Sequence, residues 1–221
     1  LATLGDLTVT GNNGLLSLTA SQLIANEDGV RWVSADRLAL RSTGLVGGTG
    51  NIGQSTRHVI LKAKELGVDA SGQLFLDLDG GFERGSVVSA GNQALNTLGD
   101  STLDRIESIQ GMITLSGLGE IAIDQLQAWG DLDLAGSGLS LRLGSLRSQQ
   151  GDLAVDIGGV FSADTVDAQN GLWNLIARQA LIGTATIAGP VQMSITAMLR
   201  WCWAAPRILA SWISPAALTW M

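Results

Sequence analysis

Two carboxylates two residues apart, Asp77 and Asp79, open the stretch Asp77-Leu78-Asp79-Gly80-Gly81-Phe82-Glu83. On a strand, side chains two apart share a face, so the pair would present oxygen ligands beside a flexible turn, a chemistry suited to calcium. The ligand spacing of an EF-hand is missing, as is the Gly-Gly-x-Gly-x-Asp nonapeptide of calcium-binding solenoids. The expectation is a solvated acidic face that keeps a strand edge from pairing with other chains. Asp77 and Asp79 stay the only weak metal candidates.

Other constellations are weighed in the same way. Gly48-Thr49-Gly50-Asn51-Ile52-Gly53 has the glycine spacing of a dinucleotide fingerprint, with Asp69 downstream where a ribose-binding acid would stand. That chemistry needs a strand before the glycines and a helix after them, within alternating βαβ units. Here the chain continues in short strands and turns, so a glycine-rich turn between coils is expected and no cofactor is assigned. Asp131 with Asp133, and Asp152 with Asp156, would supply paired carboxylates for acid–base cleavage of a polysaccharide if they met on stacked coils. Turn preference and strand-end solvation account for them without catalysis. His58 is the only histidine, with no evident partners for a triad or a metal. Trp32, Trp129 and Trp173 are irregularly spaced, and packing at coil corners is the plainer assignment beside an aromatic glycan platform. No catalytic site is assigned, and the chain is read as a non-enzyme.

These residues sit in a chain of 221 residues that is 46% hydrophobic and 15% charged, with 29 Gly, 3 Pro and no Tyr. Abundant glycine with few charges points to many short strands and turns rather than long amphipathic helices. The net charge of −7 disfavours a nucleic-acid partner, since no basic stripe offers itself to phosphate. One cysteine, Cys202, excludes an intramolecular disulfide. No signal peptide is visible at Leu1-Ala2-Thr3-Leu4-Gly5-Asp6, so the chain is expected to be a fragment or to have its export signal upstream. No apolar run reaches 18 residues, and no membrane span is assigned.

A repeat organises the rest. A glycine followed by alternating apolar residues recurs at Gly111-Met112-Ile113-Thr114-Leu115, Gly130-Asp131-Leu132-Asp133-Leu134, Gly151-Asp152-Leu153-Ala154-Val155 and Gly171-Leu172-Trp173-Asn174-Leu175, at spacings of 19, 21 and 20 residues. Gly5-Asp6-Leu7-Thr8-Val9 and Gly72-Gln73-Leu74-Phe75-Leu76 carry the same vocabulary earlier, in looser register. Shorter second strands such as Glu120-Ile121-Ala122-Ile123 follow within each repeat. Each strand is apolar on one face and too short to bury it alone, so the repeats must stack in parallel around a continuous core. An all-β parallel solenoid of about 20-residue coils follows. With nine or ten repeats over residues 1–197, and the register clearest over 111–195, the rod would be about 45 Å long at the usual strand spacing.

The Gly-Asp-Leu-x-Val/Leu starts at Gly5, Gly130 and Gly151, the 20-residue period and the Gly-, Asn- and Ser-rich turns resemble the hemagglutinin-repeat region of filamentous-hemagglutinin-like exoproteins, which includes the stalks of contact-dependent growth-inhibition toxins. The resemblance covers residues 1–195. It implies a right-handed β-helix, secreted or displayed on the bacterial cell surface through a dedicated outer-membrane transporter. It also implies a structural or adhesive role, with host or neighbouring-cell glycans or proteins as contacts. A β-helical carbohydrate-active enzyme, or its remnant, is the alternative.

Two segments are expected to break the solenoid with short helices: 54–66, and 92–109, where Leu95, Leu98, Leu103, Ile106 and Ile109 mostly follow three-residue steps. From Met198 the grammar changes. Residues 198–221 hold four of seven Trp, two of three Pro and the cysteine, with no acid and no glycine. An irregular or helical tail is expected there, either out-of-frame sequence or an interfacial anchor.

Overall fold

Alternating apolar residues in short runs bounded by glycine form strands, and the computed structural model contains nothing else: among the described residues it is all-β, without helix. The described residues are 2–4, 7–9, 13–25, 32–44 and 50–201. In chain order the strands are β1 (Ala2–Leu4), β2 (Leu7–Thr8), β3 (Leu15–Ala20), β4 (Leu23–Ala25), β5 (Trp32–Ser34), β6 (Arg37–Ser42), β7 (Val59–Lys62), β8 (Glu65–Ala70), β9 (Leu74–Leu78), β10 (Arg84–Ser89), β11 (Gln93–Thr97) and β12 (Ser101–Ser108). Then come β13 (Ile113–Ala128), β14 (Leu132–Ser148), β15 (Leu153–Ala168), β16 (Trp173–Ile187) and β17 (Val191–Trp201).

Every ladder between these strands is parallel, and each strand pairs with its equivalents about 20 residues away. One stack runs β2, β5, β7, β9, β11 and the first part of β13; another runs β3, β6, β8, β10, β12 and the last part of β13. From β13 onward a whole turn is one bent strand, stacked as β13, β14, β15, β16 and β17. The result is a parallel β-solenoid of about eight turns, somewhat fewer than the nine or ten repeats that strand starts suggest. The difference lies in the first half. Leu23, Ile52 and Leu74 occupy one column, joined by parallel bridges, so the turn from Leu23 to Ile52 is longer than the period and carries residues that do not form an extra coil.

Side-chain burial explains the shape of a turn. In β13 the inward residues are Ile113, Leu115, Ile121, Ile123, Leu126 and Ala128. The two-residue alternation breaks between Ile123 and Leu126, because Asp124 and Gln125 both face solvent. The same three-residue step recurs from Leu143 to Leu146 and from Ala163 to Val166. A register shift at Ser116/Leu118 marks another bend. A turn therefore has three short sides, and the inward Leu, Ile and Val of successive turns fill one continuous core. Complete burial of each such side chain contributes about 1.5–3 kcal/mol.

These corners also correct both expected helices. Segment 54–66 is a tight turn closed by Gln54 and Arg57, followed by β7 and the start of β8. Segment 92–109 is β11 and β12. Its three-residue spacing from Leu103 to Ile106 is a corner step, with Asp104 and Arg105 both outward, and Leu98 and Ile109 are exposed. A strand that changes phase at a corner imitates the helical period over a short window.

β17 continues past the expected boundary at Met198: Met198, Leu199, Arg200 and Trp201 pair with Gln179, Ala180, Leu181 and Ile182 of β16. The rest of the Trp-rich tail, 202–221, lies outside the described residues.

Candidate functional site

The turn between the last side of one coil and the first side of the next is where the recurring Gly-Asp pair sits. There the Asp131 carboxylate accepts the Asp152 backbone N–H one coil on, at 2.8 Å, and Asp152 in turn accepts Leu172 N–H at 2.7 Å. Asparagine fills the same role lower in the stack, Asn92 accepting from Met112 N–H at 3.1 Å and Asn51 from Gln73 N–H at 2.8 Å. The glycine is the other half of the device. A Cβ on Gly151 would lie 2.3 Å from Asp131 Oδ1, and one on Gly171 would lie 2.5 Å from Asp152 Oδ1. The carboxylate of one coil thus occupies the space that any larger residue would need in the next, and the acids after the start glycines serve the stacking of coils.

Beneath this corner runs a row of small inward residues, including Ser89, Ser108, Ala128, Ser148 and Ala168. Ser148 Oγ donates to the carbonyl of Gly151 at 2.8 Å, and Ser108 Oγ to that of Gly91 at 2.8 Å. These hydroxyls are buried and must be paired, and the corner carbonyls supply the acceptors. A second hydroxyl row spans another corner, where Thr165 Oγ1 donates to Gly144 O at 3.3 Å and Ser145 Oγ to Asp124 O at 3.3 Å.

Of the metal candidates, Asp77 lies on the outer face of β9 and Asp79 just past its end, and each meets a basic group of the preceding coil. Asp77 Oδ1 lies 2.8 Å from His58 Nδ1, both side chains being 24% exposed, and Asp79 Oδ2 lies 3.2 Å from Lys62 Nζ. His58 also faces the Phe75 ring at 6.0 Å between centroids. Among the described residues no three acid, histidine or cysteine groups converge as a metal would need.

The Gly48–Gly53 segment is described from Gly50 onward. Ile52 is fully buried in the core column and Gly53 packs against the Phe75 carbonyl, with φ +77°. No helix follows it, and Asp69 stands on β8 opposite Arg41 at 3.5 Å. Of the four acids weighed as carboxylate pairs, Asp131 and Asp152 stack on adjacent coils, with Asp131 engaged by the Asp152 backbone N–H, while the other two are separated. Asp133 stacks between Thr114 and Ala154, while Asp156 stacks between Ala135 and Ile176, in a different column. A shallow trough of about 720 Å³ opens beside Asp156, between Gly136, Gly158 and Arg178, where the ladder is interrupted at a corner.

The three tryptophans separate. Trp173 is wholly buried, in the core column of Leu132 and Leu153, and its Nε1 has no hydrogen-bond partner. Trp129 is 45% exposed at a corner. Trp32 begins β5, and its side chain lies outside the described residues.

On the outer face of the early coils, charges form a ladder of their own. Glu65 lies between Arg37, at 3.2 Å, and Arg84, on adjacent strands. The Arg84 hydrogen bond, helped by both guanidinium charges, holds the Glu65 carboxyl below its usual range, and Arg84 is raised in turn. This is stacking electrostatics on a solvated surface.

The fold and its corners define the class: a parallel β-solenoid whose polar side chains are used mainly to register one coil on another. No protein-family model matches the chain, and no curated protein or solved structure shows significant similarity to it.

Proposed function

We propose that this chain is a structural and adhesive repeat segment of a large secreted or surface-exposed bacterial exoprotein of the hemagglutinin-like kind, exported through an outer-membrane transporter. The observation that carries the proposal is the Asn/Asp corner: at Asn51, Asn92, Asp131 and Asp152 one coil carries the acceptor that fixes the next, a device suited to extending a rod. Polar residues invested in coil registration suit a stalk that supplies length and stiffness. A polysaccharide-cleaving β-helix is the alternative; the register keeps Asp133 and Asp156 in separate columns, and the stacked Asp131 and Asp152 each accept a backbone N–H of the next coil. No helix among the described residues is long and apolar enough to cross a membrane, and the proposal requires none here.

The test is the gene together with the particle. An adjacent outer-membrane transporter gene, with further 20-residue repeats in the same reading frame or resumed after a frameshift near residue 198, is the expected context. Electron microscopy of the parent protein should then show a thin rod. A gene with neither feature, or a compact particle, refutes the proposal.

A further inference from the structure

The corner between the third side of one coil and the first side of the next holds a second arrangement, which coil registration does not use. Backbone hydrogen bonds place Ile109, Trp129 and Gln149 one above another in a single column: Trp129 N–H donates to Ser108 O at 3.1 Å and Gln149 N–H to Ala128 O at 3.1 Å. Ile109 is 51% exposed, Trp129 45% and nearby Met112 36%, so three large apolar side chains meet solvent on one ridge. The side-chain amides of Gln110, Gln149 and Gln150 flank them and make no hydrogen bond to any described residue. Asp131 stands on the same ridge with one carboxylate oxygen engaged by Asp152 N–H.

We propose that this ridge, centred on Trp129, binds a neutral oligosaccharide. An indole face packs against the C–H face of a pyranose. Carboxamides carry both donors and acceptors, as sugar hydroxyls do, and a carboxylate accepts from hydroxyls. Charge selects among ligands. No Lys or Arg occurs at this corner from Ala90–Asn92 through Ile109–Met112, Trp129–Asp131 and Gln149–Asp152 to Gln169–Leu172. The nearest guanidinium, Arg147, two residues before Gln149, is paired with Asp167 at 3.3 Å, so a sulfated or phosphorylated glycan would find no unpaired cation there, and an anionic lipid surface, which favours Trp beside basic residues, would meet Asp131 and Asp152. Coils rise by about 4.8 Å, close to the length of one pyranose, so consecutive sugars would meet consecutive coils along the ridge. The inference deepens the adhesive part of the proposed function by naming the chemistry of its contact.

The test uses the full 221-residue chain over immobilised cellohexaose, maltohexaose and mannohexaose, with a heparin hexasaccharide and phosphatidylglycerol vesicles alongside. The expected result is binding to at least one neutral hexasaccharide. Trp129→Ala should weaken it by roughly tenfold or more, as truncation of a central Trp anchor does; Gln150→Ala should weaken it less, and Trp129→Phe should keep most of it. Both positions are solvent-facing, and circular dichroism of each variant checks that the solenoid is intact. Lack of binding to every neutral sugar, Trp129→Ala binding as the wild type does, or tighter binding to heparin or vesicles overturns the proposal. A rod seen by microscopy that binds none of these sugars overturns this inference alone and leaves the structural role standing.

Discussion

Replacing Gly151 with alanine tests the corner device at its tightest point. A Cβ there would lie 2.3 Å from both the backbone N and Oδ1 of Asp131, and 2.4 Å from the Gly130 carbonyl carbon. Backbone atoms cannot rotate aside, so coils β14 and β15 must separate locally. Overpacking of this kind costs about 3 kcal/mol. Gly151 has no positive φ, so alanine adds no backbone strain and recovers roughly 0.4–1 kcal/mol by restricting the unfolded chain. The net expectation is a loss of about 2 kcal/mol, or roughly 4–8 °C in Tm for a chain of this size. Gly81 is the contrasting control, with φ +73° and nothing within 4 Å of an added Cβ. Gly81→Ala should cost roughly 1–2 kcal/mol, from conformation alone. Adding Asp131→Gly should relieve Gly151→Ala only in part, because it removes the carboxylate and leaves the backbone contacts. Urea unfolding followed by circular dichroism gives the losses, and amide hydrogen exchange across β14 and β15 locates them. Gly151→Ala within about 0.5 kcal/mol of wild type, the range of an ordinary surface substitution, would refute the assignment of the glycine to coil packing.

Three other expectations follow from named contacts. Leu132→Ala empties a fully buried core position and should destabilise by about 2–5 kcal/mol in the same assay; a neutral result would place Leu132 outside the core. Glu65 has its folded pKa below the unfolded value, so the stability it contributes is present above the unfolded pKa and is lost as pH falls through the folded one. Melting curves of wild type and Glu65→Gln should therefore differ at neutral pH and low salt and converge in acid; a gap that widens in acid contradicts the Arg37–Glu65–Arg84 ladder. Because Asp77 faces His58 and Asp79 faces Lys62, calcium should leave Tm unchanged. A rise with calcium concentration, the mark of a ligand bound to the native state, would show that the two carboxylates are held differently.

The first side of each coil was legible from sequence because Gly-x-Leu-x-Leu puts its apolar face at every second residue and restarts after a glycine. Leu132, Leu134, Leu153 and Val155 stand inward as that pattern requires. The corners were not legible. Two consecutive outward residues, as at Asp124 and Gln125, shift the phase by one, and from Leu95 to Ile109 that shift reads as a helical period. The early register was obscured by the long step from Leu23 to Ile52, whose extra residues dilute the repeat. The acids fell on stacked coils only in part: Asp131 and Asp152 share a column, whereas Asp133 and Asp156 differ by one alternation step relative to their strand starts and do not. Trp129 and Trp173 illustrate what decides a site. Trp173 alternates with Leu175 and falls inside, whereas Trp129 directly follows inward Ala128 and falls outside. That one-residue difference was readable in principle, once Ala128 was known to end a side. The free amides beside Trp129 come from the coils on either side of its own and meet only through the stack.

The Gly-Asp corner also sets how such a chain responds to damage. Each coil is held almost wholly by the coil before it and the coil after it, so the separation between contacting residues stays near 20 however long the stack becomes. Stability then behaves as a sum of nearest-neighbour couplings. One failed coupling, such as that between Asp131 and Gly151, would not loosen the whole molecule evenly. It would divide the stack into two blocks that melt separately, each fraying from the new end inward, and the position of the defect along the chain would set the size of the block that survives.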